Sequence, residues 1–146
     1  MYTGLLHTHN MFRWLVIIVL IVAIVLAISG WLRKNDWKKS DRITSLILTI
    51  FMDIQFLVGI ILYAFTSPLT KAAFADFGAA MKNSELRFYA VEHITMMIIA
   101  LVLVHIGKVK TKKITTPWKK HRAAAIYYAI ALLVILAGIP WDRALM

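Results

Sequence analysis

Four apolar stretches, at residues 10–32, 43–65, 87–107 and 123–139, constrain this chain more than anything else in it. A helix needs about 20 residues to cross the hydrocarbon core of a bilayer, and each stretch is of that order. Beyond Trp14 the first is nearly pure Leu, Ile, Val and Ala, which suits a wall facing lipid. Charged residues make up only 16% of the chain and are bunched between the stretches, while 61% of residues are hydrophobic, against about half in a soluble domain. The layout predicts an all-α fold: an integral membrane, antiparallel four-helix bundle in which the 146 residues form one transmembrane domain.

A net charge of +10 would point to nucleic acid in a soluble chain. Its placement argues for a membrane instead. Residues 33–42 hold five Lys or Arg and residues 108–122 hold seven, together twelve of the seventeen. Cytoplasmic loops carry such an excess, so both segments are expected inside, with residues 66–86 and both termini outside (N-out, C-out). The partner this implies is the lipid bilayer, with no nucleic acid. The opening MYTGLLHTHN has no basic n-region and no small-residue cleavage site follows, so no secretory signal is expected. Ser67-Pro68 should end the second helix, because Pro disfavours helical geometry in the residue before it. Gly107 should close the third, and Pro117 should separate it from the fourth. Within 66–86, AAFADFGAAM reads as a short amphipathic helix lying in the interface.

The third stretch carries Glu92 and His93 side by side, about two turns inside its start. Ionisable groups at that depth are costly in lipid and are usually kept facing a protein interior, with a partner and often a task. The topology brings His9 and Arg13 to the same level, so Arg13 and Glu92 are expected to meet as a neutralising pair. His9, or His7 in its place, and His93 then offer two imidazoles from different helices, which is what a b-type haem requires of a bundle core. His105 and His121 offer a second such pair near the other side, although His121, within KKHR, reads as interfacial and solvated. A different grouping, His7, His9, Met11, His93, Met96 and Met97, would suit copper, whose monovalent ion favours thioethers. Asp53 stands alone near the middle of the second stretch. It reads as a proton-handling carboxylate, as an acceptor from an imidazole N–H, or as a protonated acid held within the bundle. Gln55 falls on a roughly opposite face. With no cysteine there is no disulfide, thiolate metal site or Cys nucleophile. Gly-rich phosphate loops, G-x-S-x-G and H-E-x-x-H are also absent.

The segments LLHTHNMFRW (5–14), IQFLVGIILY (54–63), LRFYAVEHITMMIIALVLVHIGK (86–108) and ILAGIPW (135–141) together resemble a family of small four-span proteins of Bacteroidota labelled "cytochrome B". The shared points are His9, Arg13, Trp14, Gln55, Gly59, Tyr63, Arg87, Glu92, His93, Gly107, Pro140 and Trp141. The chain departs from its relatives at Asp53, where they often carry His. The resemblance implies a multi-pass protein of the bacterial cytoplasmic (inner) membrane holding haem b between His9 and His93, with Arg13 and Glu92 beside it. The expected function is one-electron transfer, as a subunit of a larger redox complex with other membrane protein subunits as partners. Two alternatives stand beside it: a non-catalytic accessory subunit without cofactor, and copper or other metal handling at the outer face. An electron carrier or accessory subunit fits these residues better than a stand-alone enzyme.

Overall fold

A computed structural model describes residues 1–143. Helix α1 spans Tyr2–Arg33 and stops where Lys34 turns left-handed (φ 52°), with the Asn35 N–H donating to the Gly30 carbonyl at 2.9 Å. Helix α2, Lys39–Ile61, starts as the Asp41 carboxylate accepts the Lys38 N–H at 2.9 Å, a bond that satisfies one of the donors a helix start leaves open. It runs on into a π-turn, Leu62–Thr66, that ends ahead of Pro68. Three short helices follow, α3 (Pro68–Ala75), α4 (Phe77–Ala80) and α5 (Ser84–Arg87). Each is capped by a side-chain oxygen, from Ser67, Asp76 and Asn83 respectively. A second π-turn, Phe88–Glu92, leads into α6 (His93–Lys113). Helix α7, Pro117–Gly138, has Pro117 at its first position, where a missing N–H costs nothing, and a 3-10 turn at Trp141–Arg143 follows. No strand occurs among the described residues.

Four helical segments are long and apolar enough to cross a membrane: Tyr2–Arg33, Lys39–Thr66, Ser84–Lys113 and Pro117–Gly138. They outrun the apolar stretches, because hydropathy marks lipid contact whereas a helix continues through Lys and polar residues that favour it equally well. Gly107 is the clearest correction. It does not close the third helix, which continues to Lys113, but lies buried where α6 crosses α7. A Cβ there would sit 2.9 Å from Tyr128 Cε1 and 3.0 Å from Tyr127 Cβ. Small residues let helix backbones approach closely where no hydrophobic force drives them together. The expected interfacial helix is likewise two pieces, α3 and α4, broken at Asp76, with Phe74 and Phe77 stacked and exposed on them.

Helix α6 packs along α7, α7 along α1 and α1 along α2, while α2 and α6 meet more sparsely. Leu20, Leu48, Val104 and Tyr128 fill the core, together with small residues such as Ala100 and Ala131. Tyr128 is a polar tie within it, donating to Ser45 Oγ at 2.9 Å. At the Lys/Arg-rich end, His121 is buried rather than solvated: its Nε2 donates to the Asp36 carbonyl at 3.1 Å, its ring lies 4.9 Å from that of Trp37, and Gly30 makes room for it.

Candidate functional site

A cavity of about 470 Å³ lies at the end that carries the N-terminus and the short helices. That volume is in the range of small-molecule sites, about 300–1,000 Å³. Its walls come from α1, α2 and its π-turn, the start of α3, the second π-turn with α6, and the end of α7. Most of the lining is aliphatic or aromatic. The polar exceptions include His9, Arg13, Gln55 and His93.

His93 is the first residue after the π-turn, and its Nδ1 lies 2.7 Å from the Gly138 carbonyl. A carbonyl only accepts, so Nδ1 carries a proton, and in the neutral ring Nε2 keeps its lone pair. Gly138 is the last residue of α7, and its carbonyl is one of those a helix end leaves without an internal partner. His93 fills that vacancy and is fixed in one tautomer by doing so. Opposite stands His9, with ring centroids 6.3 Å apart and ring planes at 76°. Gly59 seats it: a Cβ there would be 3.1 Å from His9 Cε1, 3.6 Å from Nδ1 and 4.0 Å from Nε2. Gln55 Nε2 donates to the His9 carbonyl at 2.9 Å and ties α2 to α1 at the same level. Two polar atoms here, His9 Nδ1 and Gln55 Oε1, are buried with no hydrogen-bond partner among the described residues. Native structures leave few such atoms, and those they leave call for a reason.

The two π-turns hold this end together. Single π-turns within helices occur frequently at functional sites. Tyr63, in the first, donates through Oη to the carbonyl of Ala90, in the second, at 2.7 Å, and Thr70 Oγ1 donates to the Tyr63 carbonyl at 2.7 Å. Two backbone oxygens of the irregularly wound segments thereby gain side-chain donors, and the segment before His93 is anchored to the first π-turn.

Of the expected site residues, His9, His93 and Arg13 line the cavity and Glu92 does not. The ion pair that forms is Glu92 with Arg87, at 2.8 Å, and Arg87 also donates to the Met81 carbonyl at 3.0 Å. Arg87 is five residues back along the same chain, so the pair forms across the irregular π-turn instead of between helices. Arg13 instead donates to Asn10 Oδ1 at 3.4 Å and lies over the Trp14 ring. His7 is exposed outside the cavity, as is Met11, so they do not join His9 and His93; Met97 does line the cavity. Among the described residues no group of three or more His, Asp or Glu is placed to hold a metal ion. The second imidazole pair does not form either: His105 Nε2 contacts Asp53 Oδ1 at 2.7 Å while His121 bonds Asp36. Asp53 therefore pairs with an imidazole nitrogen, one of the three roles expected of it, and Gln55 does turn to the other side of α2.

Sequence reasoning passed over Gly138 and the Tyr63–Ala90 tie. The first had a signal: Pro140 marks where α7 must stop, and a stopped helix has carbonyls to offer.

Four apolar membrane-length helices, all contributing to a sizeable cavity, make this a multi-pass membrane protein with a largely apolar chamber that two imidazoles share. Beyond that class the comparisons add nothing: no protein-family model, no curated protein and no solved structure matches the chain.

Proposed function

We propose that the chain is a small integral-membrane electron-transfer protein of the b-type cytochrome kind, with both basic segments on the cytoplasmic side and the cavity near the outer face. The observation that carries this reading is the His9–His93 pair. Their rings stand 6.3 Å apart on different helices within a largely apolar cavity, and bundle cores of this kind are where such cofactors are held. The donor set is the right one for haem iron. His9 and His93 would hold the iron, and the haem would supply a one-electron redox couple.

The chain's own residues do the rest. The Gly138 carbonyl orients His93 and strengthens it as a donor, as outer-shell acceptors do for metal-binding imidazoles. Gly59 and Gln55 set the position of His9. The largely apolar walls lower the local dielectric, which strengthens electrostatic interactions inside. Arg13, buried in the wall, presents a cation to any acidic edge of a bound group. Glu92, already neutralised by Arg87, is not needed for this.

The test is an absorption spectrum of the protein purified in mild detergent with adequate haem supply, air-oxidised and then dithionite-reduced. A Soret band with sharp reduced α and β bands is expected, and His93→Ala should abolish it while helical content is retained. A colourless protein that takes up no added haem would refute the reading in favour of a cofactor-free accessory subunit.

A further inference from the structure

The basic residues of 33–42 and 108–122 do not all stand where they do for the same reason. Arg33 lies in the last turn of α1, and Lys110, Lys112 and Lys113 lie in the last turn of α6, where cations offset the negative end of the helix dipole. Lys108 donates to Thr49 Oγ1 at 3.3 Å, and Lys120 donates to the Thr111 carbonyl. Lys119 and Arg122 have no such duty. Lys119 stands in the first turn of α7, which holds no acidic residue and where the dipole favours an anion, and Arg122 follows three residues on. Both cations lie over one indole, that of Trp118: Arg122 Cζ is 5.2 Å and Lys119 Nζ 5.6 Å from the ring centroid. Among the described residues neither side chain donates a hydrogen bond or meets a carboxylate. Two exposed like charges thus share one spot with their N–H groups unspent.

The same face of α7 continues into the apolar span. Ile126, Ile130 and Leu133 follow Arg122 at intervals of four, four and three residues, and all are exposed. The opposite face, with His121, Ala124, Tyr128, Ala131 and Ile135, is the one buried in the bundle. From Arg122 to Leu133 the helix rises about 16 Å, close to one leaflet of a hydrocarbon core about 30 Å thick.

We propose that this strip is a binding site for an anionic phospholipid, its phosphate set against Lys119 and Arg122 beside Trp118 and an acyl chain lying along Ile126, Ile130 and Leu133. A phosphate matches the guanidinium fork, accepts from a second cation at the same time, and removes the repulsion between the two. The apolar strip is the reason for choosing a lipid over a free phosphate, since a soluble anion would leave it uncovered. Depth agrees: Arg122 abuts the span, so its head lies at headgroup level, where Trp is also at home. Charge is the reason for choosing an anionic lipid over a zwitterionic one. A headgroup without its own ammonium leaves the phosphate charge unopposed, and Lys and Arg beside such a surface gain most.

Trp118 is itself the reporter. With Trp14, Trp31, Trp37 and Trp141 each replaced by Phe, it is the only tryptophan left, and helical circular dichroism checks that the protein is folded. In phosphatidylcholine liposomes, chain-brominated phosphatidylglycerol should quench Trp118 with an apparent affinity about tenfold above that of brominated phosphatidylcholine at low salt, a few-fold for each cation. Lys119→Gln/Arg122→Gln should bring the two lipids to within about twofold of one another. Lys112→Gln/Lys113→Gln, which removes the same charge from the same end, should leave most of the preference. Native mass spectrometry of the protein with all five tryptophans, equilibrated in mixed-lipid micelles, reads the same site without the Phe replacements. There the unsubstituted chain should retain one more phosphatidylglycerol than Lys119→Gln/Arg122→Gln. Equal quenching by the two lipids, or equal lipid retention by the two proteins, overturns the proposal. Equal losses in the two Gln pairs overturn it as well, since the attraction is then a diffuse field without a site. Reversal of the quenching by millimolar inorganic phosphate at constant ionic strength assigns the cations to a free anion and overturns the lipid. None of these readouts depends on haem, so this proposal and the electron-transfer reading fail separately.

Discussion

Adding a single methyl at Gly107 should weaken the whole assembly, by an amount the contacts define. The new Cβ would lie 2.9 Å from Tyr128 Cε1 and 3.0 Å from Tyr127 Cβ, whereas carbon–carbon contacts settle at about 3.5–4.0 Å. Something must move by about 0.5 Å or more. The Tyr128 ring cannot swing away, because it is 1% exposed and its hydroxyl is bonded to Ser45; the backbones of α6 and α7 must part instead. Inserting a methyl into a core that cannot give costs about 1–3 kcal/mol, so Gly107→Ala should lose about 2 kcal/mol. Tyr128→Leu removes the Cε1 atom and the Ser45 bond, the latter costing about 1 kcal/mol, and should make the glycine substitution cheaper. The remaining contact with Tyr127 Cβ keeps it from becoming free. The double-mutant cycle should therefore show a coupling of about 0.5–1.5 kcal/mol, favouring the double variant over the sum of the singles. Equilibrium unfolding in mixed detergent–SDS micelles, followed by circular dichroism, measures all four corners. Additive losses, or a Gly107→Ala protein as stable as wild type, would refute the close-crossing argument.

At the other end, Gly30→Ala should cost about 3 kcal/mol, because its Cβ would overlap the buried His121 imidazole; a fall in thermal midpoint under the same detergent checks it. Tyr63→Phe loses the bond to the Ala90 carbonyl, at about 1 kcal/mol, and amide exchange should speed up across residues 88–94 while α7 is unaffected. Gly59→Val should displace the His9 ring and weaken uptake of added haem about tenfold. Retained helical content, read by circular dichroism, would separate that effect from unfolding.

The spans were readable because lipid imposes a single crude demand, about 20 apolar residues, and residues 10–32 or 43–65 answer it whatever they pack against. Helix ends were less so: nothing in hydropathy says that α1 continues back to Tyr2 or α6 forward to Lys113. His9, His93 and Arg13 could be placed in one site because topology fixes depth. The partner of Glu92 could not, since depth alone does not distinguish Arg13 across the bundle from Arg87 along the chain, and the choice turns on rotation about the helix axis. His105 and His121 failed for the same reason: similar depth, different faces.

That rotation has a further consequence. A π-turn accommodates one residue more than the α-turn it replaces, so each helix containing one is two lengths out of step by about 100°. Removing one residue from 88–92 would straighten the winding and carry the face holding His93 about a third of a revolution round from the face set by residues 84–87. Between this chain and any homologue, a one-residue gap near 62–66 or 88–92 is thus a change of phase. It should travel with replacement of His93 or Gly138, even though neither residue lies at the gap.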